Sequence, residues 1–188
     1  MRTLKKILLE SSGSEIAEAA LVLPLMFTIL MGIYWFGRAY NVYATLNYAA
    51  RDAARAGVAP TCATCGNASL TPTNMAVVVQ QDLQNAQIDP TLVQPKNPIP
   101  PPGSGGAFVS CNGGAAPSCA AVGGGANICV YQNVYVDDVT ISGTPNPDLS
   151  SCGVSVSFYY PYQMSLPFTS LNMTQVKISA EAQMVQEN

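Results

Sequence analysis

Residues 13–37 read Gly13-Ser-Glu-Ile-Ala-Glu18-Ala-Ala-Leu-Val-Leu-Pro24-Leu-Met-Phe-Thr-Ile-Leu-Met31-Gly-Ile-Tyr-Trp35-Phe-Gly37. From Ala19 onward the stretch holds 19 residues without a formal charge. As a helix it would be about 28 Å long, enough for the hydrocarbon core of a bilayer. The stretch is therefore read as a membrane span, and Glu18 stands at its edge, where a carboxylate is costly in lipid. A secretory signal would set its apolar region directly behind the basic residues and then offer a cleavage site rich in small residues. Here Ile7 to Leu9 is too short, and Glu10, Glu15 and Glu18 intervene before the apolar run begins.

The flanks give the span a direction. Residues 1–13 carry Arg2, Lys5 and Lys6 against Glu10, a balance of +2 within a chain of net charge −3. Positive residues ahead of the span argue for a cytoplasmic N-terminus, whereas Arg38, Arg51 and Arg55 behind it weaken that rule. The cysteines decide: Cys62, Cys65, Cys111, Cys119, Cys129 and Cys152 all follow the span. An even count on one side of a membrane suggests disulfides in an oxidising compartment. Their connectivity stays open, with Cys111–Cys119 favoured for its short loop and Cys62–Cys65 and Cys129–Cys152 as the remaining guesses.

Composition removes several function classes. The 188 residues include no histidine, which excludes Ser-His-Asp and Cys-His catalysis and zinc sites that use histidine. Beyond Arg55 the only cations are Lys96 and Lys177, so nucleic acid is not an expected partner. Charged residues make up 10% and apolar ones 48%, values that disfavour disorder and suit a membrane-linked or secreted protein.

Helical periodicity continues past the span. Ala39, Val42, Tyr43, Leu46, Ala49, Ala50, Ala53 and Gly57 recur at three- and four-residue spacing, predicting one helix over residues 15–57, about 64 Å long. Pro24 is expected to kink or loosen it near residues 20–24, and Gly57 and Pro60 to end it. Thr71-Pro72 predicts a second helix over residues 72–88 with Met75, Val78, Val79, Leu83 and Ala86 on its apolar face. The segment from Gln94 to Asn127 is rich in Pro and Gly and predicts an exposed, cysteine-stapled loop.

Beyond the loop the period becomes two. Val154, Val156, Phe158 and Tyr160 form one set, and Val176, Ile178, Ala180, Ala182 and Met184 another. Residues 128–142 add a third strand, or two. The expectation is an α+β head in which an antiparallel sheet packs on residues 39–57. The domains follow: a leader over residues 1–13, the long helix over 14–57, and an extracytoplasmic head over 58–188.

A glycine-terminated basic leader, a glutamate five residues after that glycine, and a helix with a membrane-grade first half resemble the processing site of type IV pilins and pseudopilins. Within that group, Glu18-Ala-Ala-Leu-Val-Leu-Pro24-Leu followed by Met31-Gly-Ile is similar to the TadE-like family of the tight adherence (Tad/Flp) pilus apparatus. Val154-Ser-Val-Ser-Phe-Tyr-Tyr-Pro161 and the closing Ala182-Gln-Met184 resemble that family's C-terminal pattern. Ala19 stands where the major pilins carry tyrosine, which points to a minor pilin or pseudopilin. The resemblance implies a type IV pilin-like fold, a long N-terminal transmembrane helix on a small antiparallel head. It also implies cleavage between Gly13 and Ser14 by a prepilin peptidase, and an assembly role for Glu18. The implied partners are other pilin or pseudopilin subunits, the pilus assembly platform and the bacterial inner membrane. The implied chemistry is non-enzymatic, without cofactor or metal.

Competing readings concern smaller motifs. Cys62-Ala-Thr-Cys65 lacks the surrounding unit of a redox site and the second matching pair of a zinc site. Tyr135-Val-Asp137-Asp138 is read as a strand-end acidic pair before a weak calcium site. Arg51 and Arg55, one turn apart, are read as a solvated helix face before an anion site. Tyr34, Trp35 and Tyr40 are read as interfacial anchors. The alternative for the whole chain is an uncleaved single-pass envelope protein whose head binds a surface or ligand.

Overall fold

The computed structural model describes residues 11–59, 70–101, 106–111, 121–122, 126–137, 140–141, 144–145, 151–163 and 175–186. Residues 1–10, Pro60, Cys62, Cys65, Cys119 and Asp138 lie outside them. The chain divides into two compact units, Met1–Tyr40 and Asn41–Asn188. The architecture is α+β, a long apolar N-terminal helix together with a small antiparallel sheet.

The first unit contains the start of α1 (Ser11–Val58), which is helical four residues before the expected position and runs without interruption through Pro24. Proline removes one ladder hydrogen bond there, and the remaining backbone bonds carry the helix through. One turn later Thr28 turns its hydroxyl back to the Leu25 carbonyl at 2.8 Å, the local bond by which threonine satisfies itself inside a helix.

In the second unit α1 changes character. Leu46, Ala49, Ala50, Ala53 and Ala54 are fully buried, whereas Arg51 and Arg55 are exposed. The stripe is built largely of alanine because close helix packing needs small side chains: a Cβ placed on Gly57 would stand 2.9 Å from Met75 Sδ and 3.4 Å from Val154 Cγ1. That single glycine thus locates both neighbours of α1, the second helix and the sheet.

The second helix, α2 (Pro72–Asn85), begins as its sequence dictates. Thr71 Oγ1 accepts the Asn74 amide at 3.4 Å, and Pro72 occupies the first turn, where a missing N–H costs nothing. It ends three residues before the expected Ile88. Gln87 adopts a left-handed φ of 59°, and the Ile88 and Gln87 amides return to Leu83 O and Gln84 O, closing the helix. Ala86 is consequently exposed and Val78 half-buried, and Ala76 joins Met75, Val79 and Leu83 in the core.

The sheet is antiparallel and centred on β6 (Ser151–Tyr162). On one side β6 pairs with β7 (Val176–Val185) from Gly153↔Val185 to Tyr162↔Val176. On the other it pairs first with β3 (Ile128–Asp137) and then with β1 (Gln94–Pro95); β2 (Ala121–Val122) continues outward from β3. A separate ribbon joins β4 (Thr140–Ile141) to β5 (Thr144–Pro145). β3 carries two register shifts against β6, and Asn133, with φ of 54°, is the extra residue at the first.

Two expectations about the head are corrected. Alternation in β6 predicted one apolar face; instead Gly153 to Phe158 are all buried, with Ser155 and Ser157 fully so. Val154, Val156 and Phe158 lie on the α1 side, and the serines lie on the opposite face. That face is covered by residues 94–101 of the segment expected to be an exposed loop. Pro and Gly cannot supply a long ladder, so side chains capture its backbone instead. Ser157 donates to Lys96 O at 2.5 Å, Glu181 Oε1 accepts the Ile99 amide at 2.8 Å, and Gln183 Nε2 donates to Ile99 O at 2.9 Å. Lys96 completes the strap with an ion pair to Glu181 Oε2 at 2.7 Å. Further along the segment Phe108 is buried against Val134 and Val136 and stacks on Tyr131, with ring centroids 4.9 Å apart.

The second correction is the disulfide. Cys111 is bonded to Cys152, not to Cys119, and Cys152 is therefore not the partner of Cys129. Local loop size was the wrong guide. Val134 pairs with Ser110 on one side and Gly153 on the other, and Cys111 N donates to Asn133 O, so sheet register carries the two cysteines to a Cα separation of 6.0 Å. Cys129 is also disulfide-bonded.

Candidate functional site

The residues singled out by sequence lie on the first turns of α1. Gly13 and Ser14 are both inside the helix, with two helical residues ahead of them. Glu18 is one turn beyond Ser14, the spacing at which groups on a helix become neighbours, and its side chain is exposed. Glu15 is exposed on the same turn.

Behind these carboxylates the helix surface is apolar on all sides. Ile16 and Leu21 are 72% exposed and Phe36 74%, and Leu23, Leu25, Met26, Phe27, Ile29, Leu30 and Ile33 are exposed with them. An apolar stripe seeks a core, whereas a surface apolar all round needs an apolar solvent. The helix is long and apolar enough to cross a membrane, and none of its most apolar window is buried. At its far end Tyr34 meets Trp35 edge-on at 5.6 Å, and the Arg38 guanidinium stands 5.9 Å from the Trp35 ring centre. Aromatic rings with a covering cation suit the boundary between hydrocarbon and headgroups.

α1 thus consists of a polar turn at Gly13 to Glu18, a membrane-grade run, and a continuation into the second unit. Residues 13–55 match the family model described as TadE-like protein. No curated protein and no solved structure matches the chain. The TadE-like segment starts on the glycine singled out from sequence and stops just before α1 ends at Val58. The likeness to TadE-like proteins is thus confined to the N-terminal helix, the part of the chain long and apolar enough to cross a membrane. The match does not extend to β6 or β7, where sequence suggested a likeness as well.

Within the second unit the TadE-like segment also lines a groove of about 410 Å³, formed by Thr45 and Tyr48 of α1 with Asp82, Asn85 and Ala86 of α2. Asp82 Oδ2 is shielded there without a hydrogen-bond partner. Its carboxyl is held above the ordinary value of 3.8, first by burial and then by the charge of Asp52. Sequence gave no sign of this pair, because Asp52 and Asp82 lie on separate helices whose contact is tertiary. A raised carboxyl pKa favours the folded state in acid, and the benefit is lost as pH rises through the folded value. Asp82→Asn is therefore expected to raise the unfolding midpoint at pH 7 and to leave it unchanged near the acid end, about pH 3. Melts at both pH values check this, and an equal shift at both would show that charge is not the cause. Asp89 has the opposite sign: hydrogen bonds from the Thr91 hydroxyl and amide hold its carboxyl below the usual range.

Other sequence candidates are not brought together. Among the described residues no group of three His, Cys, Asp or Glu gathers to hold a metal, and Asp138, Cys62 and Cys65 fall outside them. Arg51 and Arg55 sit on the exposed face of α1 as expected of solvated cations.

Proposed function

We propose that the protein is a non-enzymatic minor pilin or pseudopilin of a Tad/Flp-type pilus, matured by a prepilin peptidase that cuts between Gly13 and Ser14. The observation that carries this reading is the coincidence of two boundaries. The family match begins at Gly13 and the uncharged run begins at Ala19, which supports a scissile bond between Gly13 and Ser14, just ahead of the membrane-grade part of the helix. The precursor lies in the bacterial inner membrane with its leader in the cytoplasm and its disulfide-bonded head outside, where thiols are oxidised. Its partners are the peptidase, other pilin or pseudopilin subunits and the assembly platform, and the assembly serves surface attachment.

Each residue has a physical task. Arg2, Lys5 and Lys6 hold the precursor's tail on the cytoplasmic side, and their removal frees the helix to be drawn out of the bilayer. Cleavage leaves Ser14 as a new amine and Glu18 as the fifth residue. A carboxylate alone in lipid is costly, and the Ser14 amine of a neighbouring subunit neutralises it on assembly. The mature N-terminus tests the maturation step: mass spectrometry is expected to find a chain starting at Ser14, and an intact Met1 would overturn it in favour of an uncleaved envelope protein. Glu18→Ala is expected to be cleaved normally yet to lose most of its co-purification with partner pilins. Undiminished recovery of the partners would remove Glu18 from assembly.

A further inference from the structure

The bond assigned to the peptidase is not in a loop. Gly13 and Ser14 lie within α1, which is already helical from Ser11. In α-helical geometry the Gly13 carbonyl is the acceptor for the Ala17 amide, and the backbone is coiled tightly around the scissile bond. Hydrolysis requires that carbonyl to be free: water adds a hydroxyl to the Gly13 carbonyl carbon, the C–N bond to Ser14 breaks, and the departing nitrogen takes up a proton. A carbonyl tied to Ala17 and wrapped by its own turn presents no face for that attack.

The residues on the spot are poor at holding the turn. Ser11-Ser12-Gly13-Ser14 places three serines and a glycine in succession, and both types rank well below alanine in helix propensity. Serine hydroxyls compete for backbone groups, and glycine gives up the most backbone freedom on becoming helical. From Ile16 onward the composition reverses to alanine, leucine and methionine. The position relative to the membrane matters equally. Unwinding inside hydrocarbon leaves carbonyls and amides without partners, whereas unwinding in water does not. Glu15 and Glu18, both exposed, lie between the weak turn and the uncharged run and keep that turn at the wet surface.

We propose that maturation is gated by unwinding of the first turn of α1, and that Ser11, Ser12 and Gly13 set its rate through their weak hold on the helix. This rests on the maturation reading above and adds a step to it. Where the turn opens and closes faster than the peptidase cuts, the cleavage rate follows the open population. Ser11→Ala with Ser12→Ala strengthens the turn without adding bulk or charge, and the expected result is cleavage slowed about fivefold. Ser11→Gly with Ser12→Gly weakens the turn, and cleavage is expected to be at least as fast as in the natural chain.

The experiment is a pulse-chase of the full-length chain in cells carrying the prepilin peptidase, with the mature N-terminus read by mass spectrometry. A slowed alanine pair beside an unslowed glycine pair supports the gate. An alanine pair cut at the natural rate overturns it, and so does equal slowing of both pairs, which would mean that the serine hydroxyls are recognised directly. A natural chain cut at Gly13 together with an unslowed alanine pair removes only the unwinding step. A natural chain that keeps Met1 removes the maturation reading itself.

Discussion

Gly153→Ala is expected to destabilise the head by about 3 kcal/mol, the upper range for forcing an extra methyl into a packed interior. Gly153 sits on β6 between Val134 of β3 and Val185 of β7. A Cβ there would collide with the Met184 carbonyl, 3.0 Å from its carbon, and would stand 2.7 Å from Val136 Cγ2. The first obstacle is backbone of the neighbouring strand. It moves only if the β6–β7 ladder moves, so no rotamer change relieves the clash. Gly57→Ala makes a useful contrast, because its closest obstacle is the flexible end of Met75, which turns aside at smaller cost. Gly32→Ala and Gly37→Ala meet nothing within 4 Å and should leave the melt of the isolated subunit unchanged. Unfolding of the full chain in detergent, followed by near-ultraviolet circular dichroism, ranks the four variants. A Gly153→Ala midpoint equal to that of Gly32→Ala would show that the strand approach is looser than described.

The same glycine shows where sequence reading succeeds and where it stops. Patterns that need only neighbours in the chain were legible. The apolar run after Glu18 announced a helix with no core to face, Thr71-Pro72 announced the start of α2, and alternation in residues 154–160 and 176–184 announced β6 and β7. What was missed depends on register between distant segments. Burial of Ser155 and Ser157 cannot be read from β6, because the cover is supplied by Lys96 and Ile99 through Glu181 and Gln183, more than 80 positions further along. A composition rich in Pro and Gly forecast the poverty of ladder bonds in that segment and its exposure at Gln94, Pro95, Asn97 and Ile99, but not the burial of Pro98, Pro101 and Phe108. At the candidate site, Gly13 was singled out from the basic residues ahead of it and the apolar run behind, and the family match begins there, while the helical state of Ser11 to Ser14 was hidden by their poor propensity.

These two units place different demands on the sequence. The surface of α1 up to Tyr40 is apolar on every side, with charge confined to its ends, the composition that suits an apolar solvent. The head buries mostly small and β-branched side chains under two short helical stretches and a strap. A core of that modest size gains more from a covalent tie than a large one would.

The tie at Cys111–Cys152 should therefore carry a large share of the head's stability. The bond closes a separation of 41 residues, which sets a chain-entropy ceiling of about 4 kcal/mol on its contribution. Replacing both cysteines by serine is expected to approach that loss. It also releases the strand-like segment that Cys111 N and Val109 O hold against β3, and with it the anchorage of Phe108 on Tyr131. Denaturant unfolding of the full-length variant measures the loss, and a change below about 1 kcal/mol would mean that the tie constrains little of the unfolded chain. The connectivity has its own test, because a single Cys111→Ser change orphans one thiol. Alkylation followed by peptide mapping is expected to label Cys152. Label at Cys119 instead would restore the short-loop pairing and remove the register argument that joins residues 110 and 134 to β6.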